Sequence, residues 1–189
     1  MRKLVAYTLM ALDGAVDDPS QIFTPSDDPD EPFLFDQECE AFEAETIGTQ
    51  DAVLLGRNMY DEWRGFWPGV GTNPFADFIN PVRKHVVTSR PLGEGAWDDA
   101  EPLAGPLAEA VAGLKSQDGR DIGVHGSIQL VQSLLAEDLL DELRLVVAPV
   151  VGLPGRRLFE TLEGPHRLRL VQRDLTSGEN LLLTYARRD

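Results

Sequence analysis

The stretch Asp121–Leu135, DIGVHGSIQLVQSLL, decides which fold the rest of the sequence predicts. Its short apolar start, Ile122-Gly123-Val124, indicates a buried strand, and His125-Gly126-Ser127 indicates a turn. Apolar residues then recur on one helix face, at Ile128, Val131 and Leu135. A helix that begins after such a turn presents unpaired N–H groups and the positive end of its dipole, where a phosphate binds. On this stretch alone, a plain strand-to-helix connection is the favoured explanation.

Length and charge limit the classes of protein to consider. A chain of 189 residues suits one domain, and we expect residues 1–189 to form a single unit. The net charge of −15 repels phosphate backbones and anionic lipids, which disfavours nucleic acid and membrane as partners. The single cysteine, Cys39, rules out an internal disulfide and fits a reducing compartment. We therefore expect a cytoplasmic protein with any phosphate site confined to a few local residues.

Two other predicted strand ends carry polar residues of a similar kind. Gly56-Arg57 follows an apolar strand at 51–55, and Ser89-Arg90 follows another at 83–88. In a parallel sheet, ligands bind beyond the carboxyl ends of the strands. The arginine fork can bind phosphate oxygens through paired hydrogen bonds. Either arginine alone is better explained as a surface salt-bridge partner, but the three junctions together favour a nucleotide.

The other patterns predict a mixed sheet with helices on both faces. Strands are also expected at 3–9 and 143–148, and helices at 33–47, 75–79 and 106–114. Alternating runs at 166–175 and 181–185 predict a C-terminal antiparallel hairpin. The segments 17–32 and 63–74 predict irregular loops. The first is a candidate cover for an active site, and simple surface disorder explains it equally well.

Several motifs resemble the dihydrofolate reductase-like superfamily when their order and spacing are taken together. They are YTLMALDG (7–14), LLGRNMY (54–60), VVTSRPL (86–92), VHGSIQLVQSLL (124–135), DLLDELRLVVAPVVG (138–152) and GRRLF (155–159). The most similar group is the one related to the reductase domain of riboflavin biosynthesis. The resemblance implies a three-layer α/β/α fold with a mixed, mainly parallel central sheet, and NADPH as the cofactor.

The resemblance also implies which residues bind NADPH. Gly56 and Arg57 match a junction that touches the cofactor phosphates. The strand end around the adenosine 2′-phosphate is matched by Thr88, Ser89 and Arg90. The turn and helix start under the pyrophosphate are matched by Gly126, Ser127 and Ile128, and His125 before them is a further candidate for cofactor binding.

His125 departs from the pattern, since dihydrofolate reductases have glycine at this position. The departure puts a cis or tight peptide there in doubt, and a structural histidine is at least as well supported as a ligand contact. A second departure at residues 151–155 predicts only a local loop change.

Three carboxyl groups are candidates for the proton donor of a hydride-transfer reaction. Glu38 and Glu40 lie on the helix that carries the carboxylate in dihydrofolate reductases, and the resemblance does not choose between them. Asp13 matches the Leu-Asp-Gly of the riboflavin-type reductases. A solvated helix face explains the two glutamates, and an Asp-Gly turn explains Asp13, so the sequence does not identify the acid.

The leading hypothesis is an NADPH-dependent reductase of a small, heterocyclic substrate that resembles a pteridine or a pyrimidine. Reduction of a pteridine or an aminouracil-ribitol compound is a more specific version. A third hypothesis is a dinucleotide-binding module or sensor without turnover, motivated by His125 and the unidentified acid. The resemblance also implies a homodimer, for which the apolar C-terminal strands are the candidate interface.

Overall fold

The structure is a computed structural model that describes residues 1–23 and 35–188. Its strands are β1 (Leu4–Ala11), β2 (Gln50–Gly56), β3 (Arg83–Val87), β4 (Ala100–Leu103), β5 (Asp121–His125), β6 (Glu142–Ala148), β7 (Leu168–Leu175) and β8 (Leu181–Arg187). Its helices are α1 (Pro19–Ile22), α2 (Gln37–Gly48), α3 (Arg57–Phe66), α4 (Pro74–Ile79), α5 (Leu107–Lys115) and α6 (Ile128–Ala136). A 3₁₀ turn at Trp67–Gly69 follows α3.

The strands form one eight-stranded sheet in the order β4-β3-β2-β5-β1-β6-β8-β7. The first six strands in this order are parallel, and β8 and β7 pair antiparallel at the far edge. The carboxyl ends of β2, β3 and β5 therefore lie on the same edge of the sheet. The α/β class, the mixed sheet and the C-terminal hairpin predicted from the sequence are all confirmed.

Each face of the sheet is covered by helices because side chains along a strand point alternately to opposite faces. Leu54, Ile122 and Val124 face a core cluster that includes the buried side of α6 and Val111 and Leu114 of α5. Neighbouring strand residues face the other way, onto clusters that contain residues of α2, α3 and α4. These helices fix the positions of the loops that follow β2 and β5.

The largest local correction concerns residues 63–74, which were predicted to be an irregular loop. Helix α3 runs through Trp63 to Phe66, and the 3₁₀ turn continues to Gly69. The glycines and Pro68 suggested a loop, but Trp63 and Trp67 pack against the cluster around Phe75. Tertiary packing of these aromatic rings outweighs the weak helix propensity of the segment.

Two smaller differences concern the segment 17–32 and strand β4. Residues 19–22 form helix α1, in which Asp18 accepts a hydrogen bond from the amide of Ser20 at 3.0 Å, whereas residues 24–32 lie outside the described residues. Strand β4 was not predicted because its four residues are largely exposed and include Pro102. It is parallel to β3 at one edge of the sheet.

No helix within residues 1–23 and 35–188 is long and apolar enough to cross a membrane.

Candidate functional site

The ends of β2 and β5 are joined by a hydrogen bond between backbone and side chain. The amide of Gly56 donates to Oγ of Ser127 at 2.9 Å. Gly56 is the residue before α3, and Ser127 is the residue before α6. Because the Ser127 hydroxyl is directed at Gly56, it does not cap α6, and Gly56 has no side chain to cap α3. Two helix N-termini without a side-chain cap therefore lie next to each other, as an anion site requires.

Gly126 keeps this turn close to α3. Its φ of +66° lies in the left-handed region. A Cβ at this position would lie 2.8 Å from Cζ2 of Trp63 and 3.1 Å from Cε of Met59. Only glycine fits both the backbone conformation and the space. No cis peptide bond occurs in the described part of the chain, so the turn is made with trans peptides alone.

A basic cleft of about 350 Å³ opens beside the two helix N-termini. Arg57 and Arg156 both line it, as does the carboxylate of Glu62. Nε of Arg57 donates to Asp61 at 2.7 Å, and NH1 donates to the carbonyl of Pro91 at 2.9 Å. The ion pair of Arg156 is with Asp17, at 2.5 Å. The cleft is further lined by Gly56, Asn58, Met59, Val87, Gly126, Ser127, Ile128, Gln129, Leu130 and Ser133.

The residues after β3 lie next to Arg57. The contact between Arg57 and the Pro91 carbonyl ties the end of this segment to α3. Oγ1 of Thr88 accepts from the amide of Arg90 at 3.1 Å, which shapes the turn. Ser89 and Arg90 are exposed, so the guanidinium of Arg90 is accessible to a ligand beside the cleft.

A second cavity, the aromatic pocket, has a volume of about 400 Å³ and lies on the other side of the same turn. Gly126, Ser127 and Ile128 line both cavities. Trp63, Trp67 and Phe75 pack against one another with ring centroids 4.9–5.7 Å apart. The other lining residues are Tyr7, Thr8, Leu9, Val16, Pro19, Ser20, Phe23, Phe35, Glu43, Asn73, His125 and Val131.

Glu43 is the one carboxyl group among the described residues that line the aromatic pocket. It is half-buried on α2, one position after the buried Phe42. Burial, with a smaller contribution from the charge of Glu40, raises the pKa of Glu43 from 4.5 to about 7. A carboxyl group in this environment holds a proton near neutral pH, which is the property of a general acid.

His125 lines the same pocket and is buried. Its Nε2 is 2.8 Å from Oε1 of Gln50, and Phe75 packs against the ring at a centroid distance of 5.3 Å. Burial lowers the pKa of His125 to about 3, so the ring is neutral. Gly123 makes room for this arrangement, because a Cβ there would lie 2.6 Å from Nε2 of His125. The position therefore shows a packed neutral ring, and a ligand contact by His125 stays a prediction.

Tyr7 completes the polar surroundings of Glu43. The hydroxyl of Tyr7 is buried and has no hydrogen-bond partner among the described residues. Burial raises the pKa of Tyr7 well above its usual value, and the charge of Glu43 acts in the same direction. Nδ1 of His125 is likewise buried and without such a partner within residues 1–23 and 35–188. Buried polar atoms of this kind are uncommon in folded proteins, and a ligand is one way to satisfy them.

The three predicted acids lie elsewhere. Asp13 accepts from the amide of Gly152 at 2.9 Å and from Arg157 at 3.1 Å, and it lines neither cavity. The hydrogen bond from Gly152 is the main cause that lowers the pKa of Asp13, which suits a charged loop anchor better than a proton donor. Glu38 and Glu40 are exposed on α2 and also line neither cavity. Their catalytic roles stay predictions that the geometry does not support.

Glu43 and Arg156 were missed by the interpretation of the sequence, although a signal for Glu43 was present. Glu43 follows Cys39 by four residues, so it borders the buried face of α2 formed by Cys39, Phe42 and Thr46. A carboxylate at the border of an apolar helix face is a candidate for a shifted pKa. Arg156 gave no such signal, because its place beside the cleft depends on how the loop after β6 folds back to Asp17.

Comparison with known proteins agrees with the resemblance drawn from the motifs. Residues 104–182 match the family model described as the RibD C-terminal domain. The chain is 29% identical over 170 residues to the uncharacterized protein YwjB of Bacillus subtilis, covering 89% of both chains. It is 29% identical over 134 residues to the uncharacterized protein YyaP of the same organism, covering 68% of this chain and 70% of that one. The likeness to the riboflavin-related group of reductase domains is thereby confirmed.

Solved structures of similar fold come from three bacteria. One is from Shewanella sp. PV-4 and is described as a riboflavin biosynthesis protein. It superposes on this chain with a TM-score of 0.72, at 20% identity and 99% coverage of each chain. A pyrimidine reductase-like protein from Corynebacterium diphtheriae gives a TM-score of 0.67, at 14% identity, covering 100% of this chain and 93% of that one. A deaminase/5-amino-6-(5-phosphoribosylamino)uracil reductase from Thermotoga maritima gives 0.62, at 14% identity, covering 99% of this chain and 57% of that one. At these identities, the likeness shows the shared fold.

Proposed function

We propose that this protein is an NADPH-dependent reductase of a small, pyrimidine- or pteridine-like heterocycle. The observation that carries the proposal is the contact between two different cavities at one turn, Gly126-Ser127-Ile128. The basic cleft suits the phosphates of a dinucleotide, and the aromatic pocket suits a planar ring. The pyrimidine reductase-like structure with the same fold supports the substrate class.

The residues of the basic cleft fit the phosphates of NADPH. The N-termini of α3 and α6 lack side-chain caps, and the missing Cβ of Gly126 lets the turn before α6 pack closely against Trp63 and Met59 of α3. Arg57 supplies positive charge at the cleft, and the exposed Arg90 beside it would hold the 2′-phosphate that distinguishes NADPH from NADH. When bound, the nicotinamide supplies a hydride.

In this proposal Glu43 supplies the proton that the reduction needs. Its pKa of about 7 means that a large fraction of the side chain is protonated at neutral pH. The aromatic walls exclude water around the carboxyl group, and the neutral His125 lines the pocket without competing for the proton. The pocket residues thus orient a planar substrate and hold a proton beside it.

Titration with NADPH tests the cofactor part of the proposal. We expect binding that enhances nicotinamide fluorescence, and Arg90→Ala to weaken NADPH binding by about tenfold while leaving NADH binding unchanged. Arg83→Ala is the matched control, because Arg83 is an exposed arginine at the opposite end of β3, paired with Asp99. No binding at hundredfold molar excess of NADPH would contradict the proposal. Tight binding without turnover of any imine or enal in a broad panel would favour a sensor module instead.

We also propose a homodimer formed through the edge strand β7. The strand is exposed along most of its length, and Leu170, Val171 and Leu175 are each at least 44% exposed. An edge strand of this kind presents unpaired backbone groups and apolar side chains to a second copy of the chain. Light scattering is expected to give twice the chain mass of 20.8 kDa, and Val171→Lys to shift it to the monomer. A monomeric native protein would refute this interface.

A further inference from the structure

The two cavities differ in the sign of the charge that they offer. The arginines of the site line the basic cleft or lie beside it, whereas no lysine or arginine is among the described residues that line the aromatic pocket. The histidine in that pocket is neutral, because burial lowers the pKa of His125 to about 3. Burial raises the pKa of Tyr7 well above its usual value, so Glu43 is the one group of the described lining that carries charge near neutral pH, and that charge is negative.

The part of the chain outside the described residues does not change this sign. Residues 24–34, TPSDDPDEPFL, contain four carboxylates and neither lysine nor arginine. Wherever this segment lies, it has no positive charge to offer to a ligand. The formal net charge of −15 further disfavours an anion that lacks a specific cationic partner.

The shape and the polar groups of the aromatic pocket indicate which kind of ligand fits it. Trp63, Trp67 and Phe75 present rings at steep mutual angles of 57–84°, so both faces and edges of aromatic rings are available for packing. A volume of about 400 Å³ is near the lower end of the range for small-molecule sites. Glu43 and Tyr7 both line this apolar cavity, and a carboxyl group and a phenol hydroxyl are groups that pair with N–H groups and ring nitrogens.

We infer that the substrate is an unphosphorylated planar nitrogen heterocycle, which packs on the aromatic walls and pairs its N–H edge with Glu43. The inference rests on the proposed function and narrows its substrate class. A phosphate monoester carries nearly two negative charges at neutral pH, and among the described residues that line this pocket it would meet no cation and one carboxyl group, Glu43, which is negative when ionised. The charge of the pocket therefore disfavours a sugar phosphate on the ring and accepts the ring itself.

A matched pair of ligands tests the inference. The probes are 5-amino-6-(5-phosphoribosylamino)uracil and the same molecule without its phosphate, each titrated calorimetrically into protein saturated with a nonreacting NADPH analogue. The unphosphorylated ligand is expected to bind at least about tenfold more tightly, because like charges close together oppose binding. Equal binding of the two, tighter binding of the phosphorylated one, or binding of neither would overturn the inference.

A charge variant provides the internal control. Ser20→Lys places a cation at the lining of the aromatic pocket and is expected to reduce the discrimination between the two ligands. Gln21→Lys adds the same charge at the next, exposed position, which does not line the pocket, and should leave the discrimination as it is. Binding of the NADPH analogue is measured first, without the second ligand. A protein that does not bind the analogue refutes the proposed function, whereas the later comparison of the two ligands tests the substrate class alone.

Discussion

The basic cleft and the aromatic pocket share one turn, yet opposite physical properties make each of them suitable as a site. The cleft is made from backbone amides, helix ends and arginines, and it sits next to solvent-exposed residues. The pocket is made from aromatic side chains and one half-buried carboxyl group. Gly126, Ser127 and Ile128 line both of them.

This difference shows how one sheet edge can handle an anion and a proton donor side by side. An arginine inside the aromatic pocket would favour the charged form of Glu43 and lower its pKa. Arg57 and Arg156 line the basic cleft and not the aromatic pocket. Burial is therefore the main influence on Glu43, and it raises the pKa of Glu43. The spatial separation of the charges is therefore part of the proposed chemistry.

The largest expected effect is on catalysis and separates the pocket from the cleft. Glu43→Gln removes the proton donor while keeping the shape of the side chain, and we expect kcat to fall by roughly 100-fold or more. NADPH affinity should not change, because Glu43 does not line the cleft. Glu40→Gln, on the same helix but exposed, is the matched control and should keep full activity. Equal losses in the two variants would argue against Glu43 as the acid.

A substitution in the shared turn should damage both regions at once. Gly126→Ala adds a Cβ in a left-handed conformation at 2.8 Å from Trp63, and we expect the free energy of unfolding to fall by about 2–4 kcal/mol. NADPH binding should weaken together with substrate binding. Gly113→Ala, inside α5 with no atom within 4 Å of the added Cβ, is expected to stabilise the fold by about 0.5–1 kcal/mol. Urea unfolding measures both, and similar values for the two variants would contradict the role of the turn.

The smallest expected effect is on the pH dependence of stability, and it concerns the pocket alone. The folded state raises the pKa of Glu43 from 4.5 to about 7, so unfolding releases a proton between these values. The contribution of Glu43 to stability is the difference in the free energy of unfolding between the native protein and Glu43→Gln. This contribution is therefore complete below about pH 4.5 and is lost as the pH rises to about 7. We expect a difference of about 2–3 kcal/mol between the two proteins to develop over this window. Parallel curves from urea unfolding at pH 5 and pH 8 would show that Glu43 is not in a desolvated site.

Local sequence patterns predicted the fold well, because they are set by burial along each element. Ile128, Val131 and Leu135 are all buried on α6, as their spacing predicted. The junctions after β2, β3 and β5 share one edge because parallel strands end on the same side of a sheet. Prediction was less successful at residues 63–74, where the packing of Trp63 and Trp67 comes from distant parts of the chain.

The sequence did not predict which carboxyl group of α2 is the candidate acid. Glu38, Glu40 and Glu43 have the same side chain on the same helix, and the sequence offered no direct measure of their surroundings. Only Glu43 is half-buried and lines the aromatic pocket, and this burial raises the pKa of Glu43 to about 7. The difference is one of solvation, which depends on elements far away in the chain.

The sequence by itself determined most of the strands and helices in their order, the glycine turn at Gly126 and the arginines placed at strand ends. These follow from local spacing and from backbone conformations that few residues can adopt. The tertiary structure alone decided which carboxyl group loses its water, which hydroxyl joins β2 to β5, and that His125 turns back to Gln50. Such properties arise where separate elements meet, because desolvation and hydrogen bonding depend on neighbours in space.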